Sequence, residues 1–206
     1  MSSVSSGSWC SISENEGTVK ELPTLRLSTR TEWEEWLESN HATSPGVWLQ
    51  LAKKGAGEGL SRTDALEVAL CYGWIDGQAA SLDEIAWLQR FTPRTRRSRW
   101  SRINREAVTQ LIESGLMRPA GMAQVEAAKR DGRWDDAYDS PRTITVPDDL
   151  REALERESGG WALFEALDSR NRYAILFRIQ EAKRPETRAR RIEKYVRMLL
   201  DGETIH

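Results

Sequence analysis

The chain has 206 residues, 30 Lys and Arg against 32 Asp and Glu, and a net charge near −2. That length supports one large core or two small ones. The balanced charge excludes a generally basic nucleic-acid binder, whose phosphate affinity needs a positive footprint. Two cysteines, Cys10 and Cys71, make neither a disulfide framework nor a zinc set, and no stretch approaches the roughly 20 apolar residues of a membrane span.

Residues 1–21 are rich in Ser, Gly and Glu, with no apolar core of signal-peptide length. They read as a disordered leader, and the missing secretory signal points to the cytoplasm. Leu25 to Leu27 is a short strand candidate. Thr29-Arg30-Thr31-Glu32 is a capping box, which opens a helix with Trp33, Trp36 and Leu37 on its apolar face. Val47, Leu49 and Leu51 alternate with Trp48, Gln50 and Ala52, which predicts a strand. Gly55, Gly57 and Gly59 make a loop. A second capping box, Ser61 to Asp64, starts a helix that faces inward through Ala65, Leu66, Ala69 and Leu70 and ends at Gly73. Residues 74–92 read as paired strands with turns at Asp76-Gly77 and around Asp83, and Pro93 closes the last strand.

Ser101 is the predicted N-cap of a helix whose apolar positions are Ile103, Ala107, Val108 and Leu111, and another helix follows from Pro119 to Asp131. Residues 133–147 are irregular, with a short edge strand expected over Thr143 to Val146. Pro147 then begins a run of helices. In the last of them Ala189, Ile192, Val196 and Leu199 form an apolar stripe, with Glu186–Arg190 and Glu193–Arg197 as i,i+4 pairs on the solvent side. There is no internal repeat. The expected fold is α+β: a small, mostly antiparallel sheet with helices over residues 22–140, then a helical part over residues 141–206.

Nine tryptophans mark an extensive core or a groove, and core is the favoured reading. Arginine outnumbers lysine fourfold. Arg90, Arg94, Arg96, Arg97, Arg99, Arg102 and Arg105 fall within sixteen residues that contain no acid. Forked guanidinium groups beside the amino end of the Ser101 helix suit phosphate or carboxylate. The alternative is that these arginines pair with the acids of the first helix, Glu32, Glu34, Glu35 and Glu38. Asp76 and Asp83 flank the predicted hairpin as paired carboxylates or as turn formers. The ligand-binding candidates are therefore Asp76, Asp83, Arg90, Arg94, Arg97, Trp100 and Asn104, with no assigned catalytic residue. His41 and His206 are too few for a histidine metal site, and there is no phosphate-binding or dinucleotide fingerprint, so neither metal nor cofactor is expected.

Three segments stand out: Ala69-Leu70-Cys71-Tyr72-Gly73-Trp74-Ile75-Asp76-Gly77, Arg90-Phe91-Thr92-Pro93-Arg94 through Trp100-Ser101-Arg102-Ile103-Asn104, and Ala182-Lys183-Arg184-Pro185-Glu186-Thr187-Arg188. In this order they resemble the YdeI/OmpD-associated, bacteriocin-protection family, from about Leu25 to Gly202. The resemblance implies a role in tolerating bacteriocins or cationic antimicrobial peptides. Such proteins are often described as periplasmic, which sits against the missing signal here. At the molecular level a binding module for an anionic small molecule ranks first. A nucleic-acid binder using the Arg/Trp segment, or an enzyme acting on a phosphorylated or carboxylated small molecule, are the alternatives.

Overall fold

A computed structural model describes residues 22–55 and 59–206. The expected leader and Gly57 lie outside the described residues. The elements run β1 (Thr24–Leu25), α1 (Arg30–Asn40), β2 (Val47–Ala52), α2 (Arg62–Cys71), β3 (Trp74–Ser81), β4 (Ala86–Pro93), α3 (Arg102–Glu113) and α4 (Pro119–Arg130), followed by α5 (Asp148–Arg156), α6 (Gly160–Ala166), α7 (Ser169–Gln180) and α8 (Pro185–Leu200). The fold is α+β. The sheet order is β1-β2-β4-β3, with β1 parallel to β2 and the other two pairings antiparallel.

Local chemistry sets the element starts. Thr29 and Glu32 form the capping box in both directions, the Glu32 amide donating to Thr29 Oγ1 and the Thr29 amide to the Glu32 carboxylate. Ser61 caps α2 by accepting from the Asp64 amide, but its own hydroxyl donates to the Asp64 carboxylate, so the reciprocal half of the expected box is replaced. Ser101 caps α3 through the Asn104 amide.

Three expectations need correction. The Asp76-Gly77 turn is absent: β3 runs on to Ser81 through a bulge between Asp76 and Ala79, where the buried Gln89 amide donates to the Gly77 and Gln78 carbonyls at 2.9 and 3.0 Å. That side chain satisfies carbonyls the bulge would otherwise orphan. Thr143 to Val146 is not a strand. A turn held by the Ser140 and Thr143 hydroxyls occupies its start, and Ile144 and Val146 pack against the carboxy-terminal core from irregular chain. Ile103 is 46% exposed, and Asn104, Val108 and Leu111 face inward from α3 instead.

Two clusters of buried side chains result. The first joins α1, α2, the inner sheet face and α3 with α4, around Trp33, Trp74, Phe91 and Trp100. Indole donors tie its parts together: Trp33 Nε1 donates to the Ala65 carbonyl at 3.0 Å and Trp74 Nε1 to the His41 carbonyl at 3.1 Å. Helix α4 lies so close to the end of α2 that a Cβ at Gly121 would sit 2.2 Å from the Cys71 carbonyl oxygen. The second cluster holds α5 to α8 together around Leu150, Leu154, Phe164, Ile175, Ile179 and Ile192. Ile192 and Val196 are buried and Arg190 and Lys194 exposed, as the α8 stripe predicts.

Between the clusters runs the irregular segment 131–146. Tyr138 pairs in parallel with Ser101, its amide donating to the Trp100 carbonyl at 3.0 Å and its carbonyl accepting from the Arg102 amide at 2.9 Å. Next to it Asp139, 7% exposed, accepts from Gln180 Nε2 at 2.5 Å and lies 3.0 Å from an Arg102 terminal nitrogen. The segment thus fastens the start of α3 to the end of α7.

Candidate functional site

The acid-free arginine run extends from β4 through the loop 94–100 into α3, and its members have different fates. Arg94, just beyond β4, is 5% exposed. Its guanidinium carbon lies 3.5 Å from the centre of the Trp100 ring. One terminal nitrogen donates to the Arg99 carbonyl at 3.1 Å, while Nε and the other terminal nitrogen have no partner. Burial pulls its pKa down to about 10, with Tyr138 and Asp76 attracting the charge and Arg133 repelling it. Among the described residues, no acid forms an ion pair with Arg94.

Arg99 pairs with Glu181, at the end of α7, and lies over the rings of Tyr138 and Phe177 at 5.1 and 5.2 Å. Arg102 pairs with Asp139, and Arg105 donates to the Trp134 carbonyl. Arg90 sits on the outer face of β4, half-buried, with an unpartnered Nε. Arg96 and Arg97 are exposed and make no ion pair among the described residues. Three of the four acids of α1 are engaged elsewhere: Glu34 with Arg118 at 2.6 Å, Glu38 accepting from the Tyr72 hydroxyl, and Glu32 in the capping box, while Glu35 is exposed. The cluster's ion-pair partners are Glu181 and Asp139 instead.

Trp100 is 2% exposed with an unpartnered indole nitrogen, one face under Arg94 and Trp134 edge-on at 5.0 Å. Beside it opens a cleft of about 240 Å3 lined by Arg99, Trp100, Arg133, Asp136, Glu181 and Lys183. Arg133 donates to the Ser98 carbonyl at 2.8 Å and holds Asp131 through both carboxylate oxygens. Lys183 pairs with Asp136 at 2.8 Å and is more than half exposed. Three cations and two acids therefore rim a pocket on the line where the two clusters of buried side chains meet, with the buried Arg94 behind Trp100.

Of the sequence candidates, Arg94 and Trp100 meet here. Asn104 is buried one turn into α3, and its amide serves the Ser101 cap. Asp76 is within electrostatic reach of Arg94 but is bonded to Arg62 at 2.7 Å. Asp83 is about 20 Å along the hairpin from Asp76. Its carboxylate accepts from the Ile85 and Ala86 amides at 2.9 and 2.7 Å, which makes it the turn former. Arg90 and Arg97 do not line the cleft. Arg99, Arg133, Asp136, Glu181 and Lys183 were absent from the candidates. Arg99 was visible as a member of the arginine run, and the segment around Lys183 stood out without indicating where it would dock; Arg133, Asp136 and Glu181 carried no signal. Cys71 is buried and its thiol is pushed up to about 11 by that burial, which leaves it a core residue rather than a nucleophile.

Comparison with known proteins divides the chain at the same seam. Residues 25–124 match a domain of unknown function (DUF8412), and residues 143–202 match the family described as Bacteriocin-protection, YdeI or OmpD-Associated. Of the three segments that carried the resemblance, only Ala182 to Arg188 lies in the second stretch. No curated protein and no solved structure matches the chain. Among the described residues, no helix is long and apolar enough to cross a membrane.

Proposed function

We propose that this chain, whose residues 143–202 are a YdeI/OmpD-associated segment, is a binding module for a small phosphorylated or carboxylated ligand, held in the cleft between Trp100 and the α7–α8 turn. The observation that carries the reading is Arg94: a buried guanidinium with no acidic partner among the described residues and two unsatisfied nitrogens, stacked on Trp100, which lines a cleft rimmed by Arg99, Arg133 and Lys183. A buried cation without an ion-pair partner and with free donors attracts an incoming anion.

In this reading Lys183, the most exposed of the rim cations, meets the ligand first by exchanging Asp136 for it. Arg99 and Arg133 supply planar donors, and Arg94 contributes long-range charge from behind the indole. The size of the cleft favours a small anion over a polymer. A nucleic-acid reading draws little from the geometry, because only Arg96 and Arg97 of the seven arginines are both exposed and free of ion pairs, too few to track a phosphate backbone. Any contribution to bacteriocin or peptide tolerance would then follow from sensing or sequestering such an anion.

The test is calorimetric titration of the full chain with inorganic phosphate, phosphorylated sugars and dicarboxylates at several salt concentrations, beside Lys183→Ala and Arg97→Ala. Saturable binding weakened by Lys183→Ala and unaffected by Arg97→Ala supports the cleft. Equal loss in both variants with a steep salt slope would move the site to the exposed loop, and no heat with any anion refutes the reading.

A further inference from the structure

A second groove, outside that cleft, runs between α5 and α8, with a volume of about 620 Å3. The buried Ile192 and Val196 line it together with the small Ala153 and Ala189, and Leu200, 42% exposed, stands at the carboxy-terminal end of α8. Its rims carry i,i+4 pairs of balanced charge: Glu152 with Arg156 on α5 at 3.2 Å, and Glu193 with Arg197 on α8 at 3.0 Å. Such a rim repels neither acid nor base, and it complements itself.

The register along α8 is specific. Ala189, Glu193, Val196 and Leu200 follow one another at spacings of four, three and four, so they share one helix face over about three turns. Suppose a second α8 lies antiparallel across this face, with the two-fold axis passing between Lys194 and Tyr195. Leu200 of each copy, the exposed large side chain, then falls on Ala189 of the other, an exposed small one. At that same setting Val196 meets the Ile192 region, and Glu193 comes beside Arg197 of the second copy. Shape and charge are satisfied by one register, which is what an isologous interface requires.

We infer that the α5/α8 face is a two-fold docking surface for a second copy of this chain. The contact is confined to one face of α8 and its neighbour α5, so weak association, of the order of micromolar or weaker, is expected. Exchange of the Glu193–Arg197 pair within each copy for two such pairs between copies fixes the antiparallel orientation.

Sedimentation velocity of the full chain across micromolar concentrations tests this. The parent is expected to dimerise, and Leu200→Glu, at an exposed position, should weaken association by about tenfold or more with an unchanged melt. Glu193→Arg and Arg197→Glu should each weaken it, since like charges then face one another across the axis. The double variant E193R/R197E restores opposite charges on both sides and should recover the parent's association. A parent that stays monomeric throughout overturns the inference and leaves the groove to another occupant. So does a dimer indifferent to Leu200→Glu, or single-variant losses that the double variant does not repair.

Discussion

Replacement of Arg94 by methionine separates a ligand-seeking cation from a structural one. Burial that pulls its pKa from the ordinary guanidinium range to about 10 disfavours the charged form by about 3 kcal/mol, at about 1.4 kcal/mol for each tenfold in proton affinity. Opposing this are one charge-assisted hydrogen bond to the Arg99 carbonyl, worth about 1.5 to 3 kcal/mol, and the stacking on Trp100, worth about 2 kcal/mol when desolvated. These contributions nearly cancel, and methionine fills a similar volume while leaving no donor unsatisfied. In the absence of ligand, Arg94→Met should therefore shift the urea unfolding free energy by no more than about 2 kcal/mol. Addition of a cleft-binding anion at a hundred times its Kd should stabilise the parent by about 2.7 kcal/mol and the variant by clearly less. A ligand-free loss of about 3 kcal/mol or more, with equal anion-dependent gains in both proteins, would show that Arg94 is a structural pin and that the reasoning is wrong.

The close approach of α4 to α2 makes Gly121→Ala costly: its Cβ would fall 2.2 Å from the Cys71 carbonyl oxygen and 2.8 Å from that of Leu70, and the helices must separate, lowering unfolding free energy by about 2 to 4 kcal/mol in a urea melt. On α8, Ile192→Asp buries an unpaired carboxylate at a position 7% exposed and should cost several kcal/mol, while Arg190→Asp at an exposed position stays within about 0.5 kcal/mol; equal effects in circular-dichroism melts would contradict the face assignment. Asp149 is held below the usual carboxylate range mainly by its side-chain hydrogen bonds from Arg188. A depressed folded pKa contributes stability that is present above about pH 4 and lost as pH falls through the folded value. Asp149→Asn should therefore flatten the acid limb of the stability profile and leave its slope at neutral pH unchanged.

Elements whose partners are close in sequence could be read from it. The Thr29 capping box, the Ser101 cap and the α8 stripe each depend on residues within a few positions, and each appears where the pattern puts it, except that Ala189, at the start of the stripe, is exposed. Misreadings arose where a distant side chain decided the outcome. Asp76-Gly77 has the chemistry of a turn, but Gln89 from the neighbouring strand supplies the hydrogen bonds that let the strand continue through a bulge. Ile144 and Val146 alternate like a strand because both pack on α5 to α8, without any strand to pair with. At the site, the density of arginines was visible, but which arginine would be buried depended on Trp100. The Arg99 partner Glu181 is 82 positions away, and no local pattern links them.

The seam at Tyr138 and Asp139 also bears on how the chain comes apart. Two clusters of apolar side chains, each built from elements contiguous in sequence, are fastened by a parallel bridge, a few polar contacts and the Tyr138–Phe177 ring pair instead of a continuous apolar layer. Units joined this way behave as separate foldons. Denaturant should release the seam before either cluster melts, so the Tyr138 and Arg102 amides exchange with solvent deuterium ahead of the β2 and β4 amides. A single all-or-none unfolding free energy would then describe neither cluster.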